Sequence, residues 1–318
     1  MDALIIMLKN VIVFVALAIP GYLLIKTKKL KKEHSAGLSA ALMYVGMPFL
    51  IFNSMMNNIK FSRELIGTMA IVLVLGIAFY FAMFFVSAPL TRMERNEKTK
   101  GMMRFSAVFA NNGFLGIPLA MAVFGADSGA FMVLILINIV TNVLLYTLGI
   151  YLVSGDKSAI SLKKAFLNPV LIAFIIGAVA NLVNVKELIP EVATYSNHFS
   201  SIVTPISMTI LGMKMGEIKF ADLFKSWRTY YVSAIKLVAF PVLATCVVFI
   251  LNKFWDVITT DVILGVLVAY AMPTAGLAST FADSFGGDNE NAVAFTLGST
   301  ILSILTIPLL YWVVCLLV

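Results

Sequence analysis

Two short stretches of this sequence set polar, helix-disturbing residues inside otherwise apolar runs. The first, NNGFLGIPLAMAVFG, covers residues 111–125. Asn111 and Asn112 each bring an acceptor and two donors, and Gly113, Gly116 and Pro118 follow at once. The second, MPTAGLASTFADSFG, covers residues 272–286 and overlays the first at a shift of 161, with Asn112 on Pro273, Gly113 on Thr274 and Leu115 on Gly276. Proline has no amide N–H and clashes with the carbonyl four residues back, so each run is expected to open as a helix and leave backbone groups unpaired. Half-helices meeting at such a break aim the partial positive charge of their N-termini into the gap. The chemistry this permits is anion binding by amide N–H groups without a lysine or arginine. The candidate binding residues are Asn111, Asn112, Gly113 and Pro118 in the first run and Met272, Pro273, Thr274, Ala275 and Gly276 in the second. One kinked helix reads as a packing device; two kinks at related positions favour a binding site.

The elements that carry these breaks follow from composition. Of 318 residues, 61% are hydrophobic and 12% charged, and the mean hydropathy is +0.99. A soluble domain carries about 25% charged residues, so this chain cannot cover a water-facing surface and lipid is its expected solvent. Ten apolar runs are read near 4–25, 36–56, 65–89, 103–125, 129–153, 165–184, 197–216, 229–251, 261–283 and 290–316. The loops are short and none could hold a soluble domain. The expected fold class is therefore all-α polytopic membrane protein, with ten transmembrane helices and its function inside the bundle.

Charge gives the orientation. Loops after the first, third, fifth and seventh runs hold seventeen Lys and Arg and the opposite side five, with Lys236 left inside the eighth run. Positive residues mark the cytoplasmic side, so both termini are expected outside a cell membrane. Topology thereby accounts for the net charge of +7, and no nucleic-acid partner is expected. The first run does not read as a cleaved leader, since Asp2 precedes it and Lys26, Lys28, Lys29, Lys31 and Lys32 follow. Cys246, Cys315, His34 and His198 offer no metal-ligand spacing, so neither a metal site nor a resident cofactor is expected.

The chain also repeats itself. NIKFSREL (58–65) matches EIKFADLF (217–224) at a shift of 159, and FGADSGA (124–130) matches FGGDNEN (285–291) at a shift of 161. Two units, 1–156 and 157–318, then hold five runs each. Five is odd, so the second unit must enter the membrane in the opposite sense. Inverted repeats of this kind characterise secondary transporters that work by alternating access; the plainer reading is a duplicated scaffold.

Charges within the bundle are few. Lys236 lies about 12 Å beyond Arg228 along a helix of 1.5 Å rise, too deep for easy escape to the interface. Its ammonium needs a partner: a ligand carboxylate, a carbonyl at a helix break, or an acid such as Asp283. Lys214, close to the end of the seventh run, is expected to snorkel. Paired carboxylates, a Ser–His arrangement or a metal triad at membrane depth are absent, so an intramembrane hydrolase is not expected.

NNGFLGIPLAMAVFG, MPTAGLASTFADSFGGD and LGSTILSILTIPLLYW (297–312) resemble the auxin efflux carrier family, whose bacterial members are described as malate, malonate or general organic-acid permeases. The resemblance covers essentially the whole chain. It implies a fold shared with bile-acid sodium symporters and sodium/proton antiporters, in which helices 4 and 9 cross at their breaks. A transport domain of helices 3–5 and 8–10 would move against a scaffold of helices 1, 2, 6 and 7, and a homodimer through that scaffold is expected. Asn111 corresponds to the family's ligand for a substrate carboxylate, and Pro273 to its crossover proline. Ala110 stands where plant members carry proline, so the first break is expected to rely on Gly113, Gly116 and Pro118. Thr274 to Gly276 also differ from the plant pattern, and the large plant loop is missing, which favours a small carboxylate over auxin. Sodium coupling, proton coupling and uniport stay open, as do a ligand sensor on a carrier fold and a sodium symporter of another solute.

Overall fold

The computed structural model describes residues 2–31, 33–58, 63–160, 163, 166–217 and 225–318. Half of the first peptide that carried the 159-residue shift (59–62), and the second from 218 to 224 with the loop before the eighth run that it shares, lie outside those residues. Among the described residues there is no strand, and the only extended pairing is an isolated bridge between Ala110 and Thr274.

In chain order the helices are α1 (Asp2–Lys26), α2 (His34–Asn57), α3 (Arg63–Leu90), α4 (Glu97–Val108), α5 (Asn112–Phe124), α6 (Gly129–Ser154) and α7 (Pro169–Leu182). Then come α8 (Pro190–Ser200), α9 (Val203–Gly216), α10 (Trp227–Asn252), α11 (Thr260–Ala271), α12 (Ala278–Phe285) and α13 (Asn289–Cys315). Five of these, α2, α3, α6, α10 and α13, are long and apolar enough to cross a membrane. Each of the ten apolar runs coincides with one helix or with two in succession.

Local chemistry sets the ends. The side chains of Asn96, Ser128, Asn168, Ser226 and Asp288 accept backbone N–H groups at the starts of α4, α6, α7, α10 and α13, supplying partners the first turn lacks. Gly125 and Gly286 end α5 and α12 at φ +82° and +74°, and their amides donate to Met121 O and Ala282 O. Positive φ is open to glycine at no steric cost. Both pairs of residues are related by the 161-residue shift.

Three prolines inside helices are absorbed by a widened turn. The residue before each donates to the carbonyl five positions back: Met47 to Leu42, Ile117 to Asn112 and Phe240 to Ile235. Pro48, Pro118 and Pro241 cannot donate to the carbonyl four back, and a π-type turn re-registers the ladder around that loss. Pro118 therefore sits in a continuous helix. The first break falls upstream, at Phe109–Asn111, where Phe109 is extended at φ −90°, ψ 127°.

Around a buried apolar core, α7 turns small residues inward and large apolar ones outward. On α7, Val170, Ala173, Gly177 and Ala180 face inward, while Ile172, Ile175, Ile176 and Val179 are exposed. Small residues at the contact let backbones approach closely. Ala18 and Gly21 of α1 meet α9, and at a shift of 159 Gly177 and Ala180 are buried on α7, which packs on α2. The pairing of elements follows the same pattern throughout: α1 on α9 and α7 on α2, α3 on α6 and α10 on α13, α4 on α13 and α11 on α6.

One polar tie joins the two halves at the loop after α3. Glu94, 6% exposed, accepts from the Asn96 amide at 3.0 Å and from Arg228 Nε at 2.5 Å. The Asn96 amide first, and the Arg228 guanidinium after it, hold the Glu94 carboxyl below its usual range. A depressed carboxylate stabilises the fold above its unfolded-state value and loses that contribution as pH falls through the folded-state one. Glu94→Gln is thus expected to lower stability by about 1–2 kcal/mol at neutral pH, with the deficit vanishing as the solution is acidified below the carboxylate range. Thermal melts of both proteins against pH measure it; a deficit that did not shrink in acid would rule the pair out as its source.

Candidate functional site

Two interrupted segments meet in the middle of the bundle. α4 stops at Val108 and α11 at Ala271, and the extended residues after them pair antiparallel at Ala110 and Thr274. Asn111 N donates to Pro273 O at 2.8 Å and Ala275 N to Phe109 O at 2.9 Å. Thr274 Oγ1 donates to Ser106 O at 2.9 Å, and Thr274 N to Ser299 Oγ at 3.1 Å. Each interrupted helix thus supplies partners for groups the other leaves open, which keeps buried backbone from going unpaired. Aromatic rings seal the junction: Tyr80 stacks on Phe109 at 5.7 Å and lies 5.5 Å from Tyr270, and Phe105 contacts both Phe109 and Phe281.

Of the residues singled out in the sequence, Asn111, Gly113, Ala275 and Gly276 line a cavity beside α2, α6 and α7. Asn111 and Gly276 also line a second, smaller cavity beside α9 and α13. The Asn111 side chain forms no hydrogen bond among the described residues and lies between the two spaces. Asn112 points elsewhere. It is fully buried, its Nδ2 donates to Thr141 Oγ1 at 3.1 Å, and Thr141 in turn contacts Tyr80 Oη at 2.6 Å. Its Oδ1 has no partner among the described residues, nor has Asn138 Nδ2 beside the first cavity. Met272, Pro273 and Thr274 are buried at the junction, where Pro273 and Thr274 pair through their backbones. Pro118 is buried one turn beyond, in α5.

The two candidate charges lie apart. Lys236 is fully buried in α10 and donates to Tyr270 O at 3.3 Å. That carbonyl is in the last turn of α11, and the amide four residues on, Thr274 N, is committed to Ser299. Asp283 is exposed on α12 and does not reach it. Lys214, expected to snorkel, instead turns inward and donates to Gly276 O at 2.8 Å. The reason is local: the break leaves a carbonyl outside any helix within reach of the α9 side chain. Lys214, Ser299, Thr141 and Asn138 carry no sequence signal, being isolated polar residues in apolar helices that meet the junction only through the fold. Among the described residues no group of His, Cys, Asp or Glu could hold a metal ion.

Comparison with known proteins accords with this architecture. A family model described as membrane transport protein matches residues 5–311. An uncharacterized transporter of Methanothermobacter thermautotrophicus is 26% identical over 306 residues, covering 95% of this chain and 96% of its own. Another, from Methanocaldococcus jannaschii, is 28% identical over 211 residues, covering 64% of this chain and 68% of its own. With its apolar helices and a match along nearly its whole length, the chain belongs to the membrane transport protein family, that of the auxin efflux carriers it resembles, and is a multi-pass transport protein rather than an enzyme.

Proposed function

We propose that the protein is a secondary carrier for a small organic anion, a mono- or dicarboxylate, bound where the two breaks meet and moved by alternating access. The observation that carries this is the Asn111 amide, unbonded at the junction and bordered by a cavity on either side. A ligand there meets amide donors and helix ends, and among the described residues no carboxylate lines either space.

The ten apolar runs act as ten spans, in two inverted units, 1–156 and 157–318. The matched glycine ends of α5 and α12 and the paired packing of α1 on α9 with α7 on α2 support that duplication. Helices 4 and 9, each broken in two, cross in a moving body of helices 3–5 and 8–10, while helices 1, 2, 6 and 7 form the scaffold. Both cavities lie along the seam between these bodies, as a carrier that exposes its site to each side in turn requires.

Reconstituted liposomes test the reading. Protein-containing vesicles loaded with unlabelled malonate are expected to accumulate radiolabelled malonate or malate above empty vesicles, and repeating the assay with a sodium or pH gradient identifies the coupling ion. Saturable binding without exchange would make the protein a sensor and end the carrier reading.

A further inference from the structure

The second cavity holds one charge. Its lining combines Lys214 and Ser207 of α9, Thr296 and Thr300 of α13, and Asn111 and Gly276 of the two breaks, with apolar side chains between. Among the described residues no acid lines this cavity, and the ammonium donates to Gly276 O at 2.8 Å. An ammonium can donate three hydrogen bonds; Glu217, three residues on, attracts its charge from outside this lining, and the single carbonyl leaves donor capacity for a ligand within the cavity. Gly276 also marks the distance to Asn111: a Cβ built on it would lie 3.4 Å from Asn111 Nδ2 and 3.1 Å from Phe114 Cδ2. Lys214 and Asn111 therefore both approach one residue that has no side chain, Lys214 at its carbonyl and Asn111 where a Cβ would stand. Any larger residue at 276 would press on Asn111 and Phe114.

We infer that Lys214 is the counter-charge of the transported anion: a carboxylate entering between α9 and α13 takes the Lys214 ammonium from Gly276 O and receives the Asn111 amide from the other side. This rests on the reading of the protein as an anion carrier and assigns the charged contact that reading lacks. Charge-assisted pairs are about twice as strong as neutral hydrogen bonds, so Lys214 dominates the affinity and Asn111 sets position. The same contact would favour anions over neutral solutes of equal size.

Malonate binding to purified protein, measured by calorimetry, tests this on wild type, Lys214→Met, Lys214→Arg and Asn111→Ala. Lys214→Met is expected to weaken malonate by at least about tenfold, with Lys214→Arg recovering most of that loss because the charge remains. Wild-type affinity in Lys214→Met, with Asn111→Ala still impaired, would overturn the assignment and leave the break site standing. Failure of the wild type to bind malonate, malate or acetate would remove both readings. Should Lys214→Met not fold, the wild type decides alone. Acetylation of Lys214, followed by mass spectrometry, is expected to slow severalfold when malonate is present, and an unchanged rate overturns the inference.

Discussion

Asn111→Asp is expected to abolish carboxylate transport, and Asn111→Ala to weaken it. The alanine variant removes one hydrogen bond to a charged group, a loss of about 1–3 kcal/mol. The aspartate variant adds a repulsion: two like charges about 4 Å apart at an effective dielectric near 20 cost about 4 kcal/mol, roughly a thousandfold in affinity. Both substitutions leave the junction's backbone intact, because residue 111 holds it through main-chain atoms. Its N–H donates to Pro273 O, and its carbonyl accepts from Leu115 and Gly116. A change in binding therefore reports the side chain and not a collapsed site. Counterflow of malonate at a series of concentrations gives the ranking wild type, alanine, aspartate. Aspartate transport at the original rate and affinity would mean that no anion binds at this break, and the Asn pair would then be reread as packing or cation ligation.

Gly212→Ala is expected to unfold or dissociate the α1–α9 pair, whose backbones meet closely at glycines. A Cβ at position 212 would lie 1.8 Å from Ala18 O and 2.8 Å from Tyr22 N, and one at Gly21 would lie 2.0 Å from Thr209 O. These obstacles are backbone atoms of the facing helix, so no side-chain rotation relieves them and the helices must separate. Overpacking of well-filled contacts costs typically about 1–3 kcal/mol, and more where nothing can yield; about 3 kcal/mol or above is expected here. Gly67→Ala is the control, since nothing lies within 4 Å of a Cβ at that position. Size-exclusion profiles and melting temperatures in detergent compare the two. A Gly212→Ala protein that melts with the wild type would show that α1 and α9 are not held at this distance.

Sequence alone determined the solvent, the helical class and the places of most elements. Ten apolar runs in a chain with 12% charge admit little else, because an unpaired backbone in hydrocarbon drives every span into a helix that satisfies itself locally. The second break was legible for the same reason: Pro273 removes an amide, and no neighbour in a helix replaces it. Local rules failed where the answer lay some 160 residues away. Gly113, Gly116 and Pro118 looked like the first break, yet a π-type turn carries the helix through Pro118. The chain opens at Phe109–Asn111 because residues 273–275 offer an edge to pair with there. Lys214 looked like a residue bound for the interface, and the freed carbonyl of Gly276 draws it inward. Lys236 needed a partner that the sequence could only list, and the end of α11 supplied Tyr270 O while Asp283 stayed at the surface. Helix formation depends on residues three and four apart, so it is written along the chain. The partner of a group released at a break depends on which helices stack beside it, and only the folded bundle decides that.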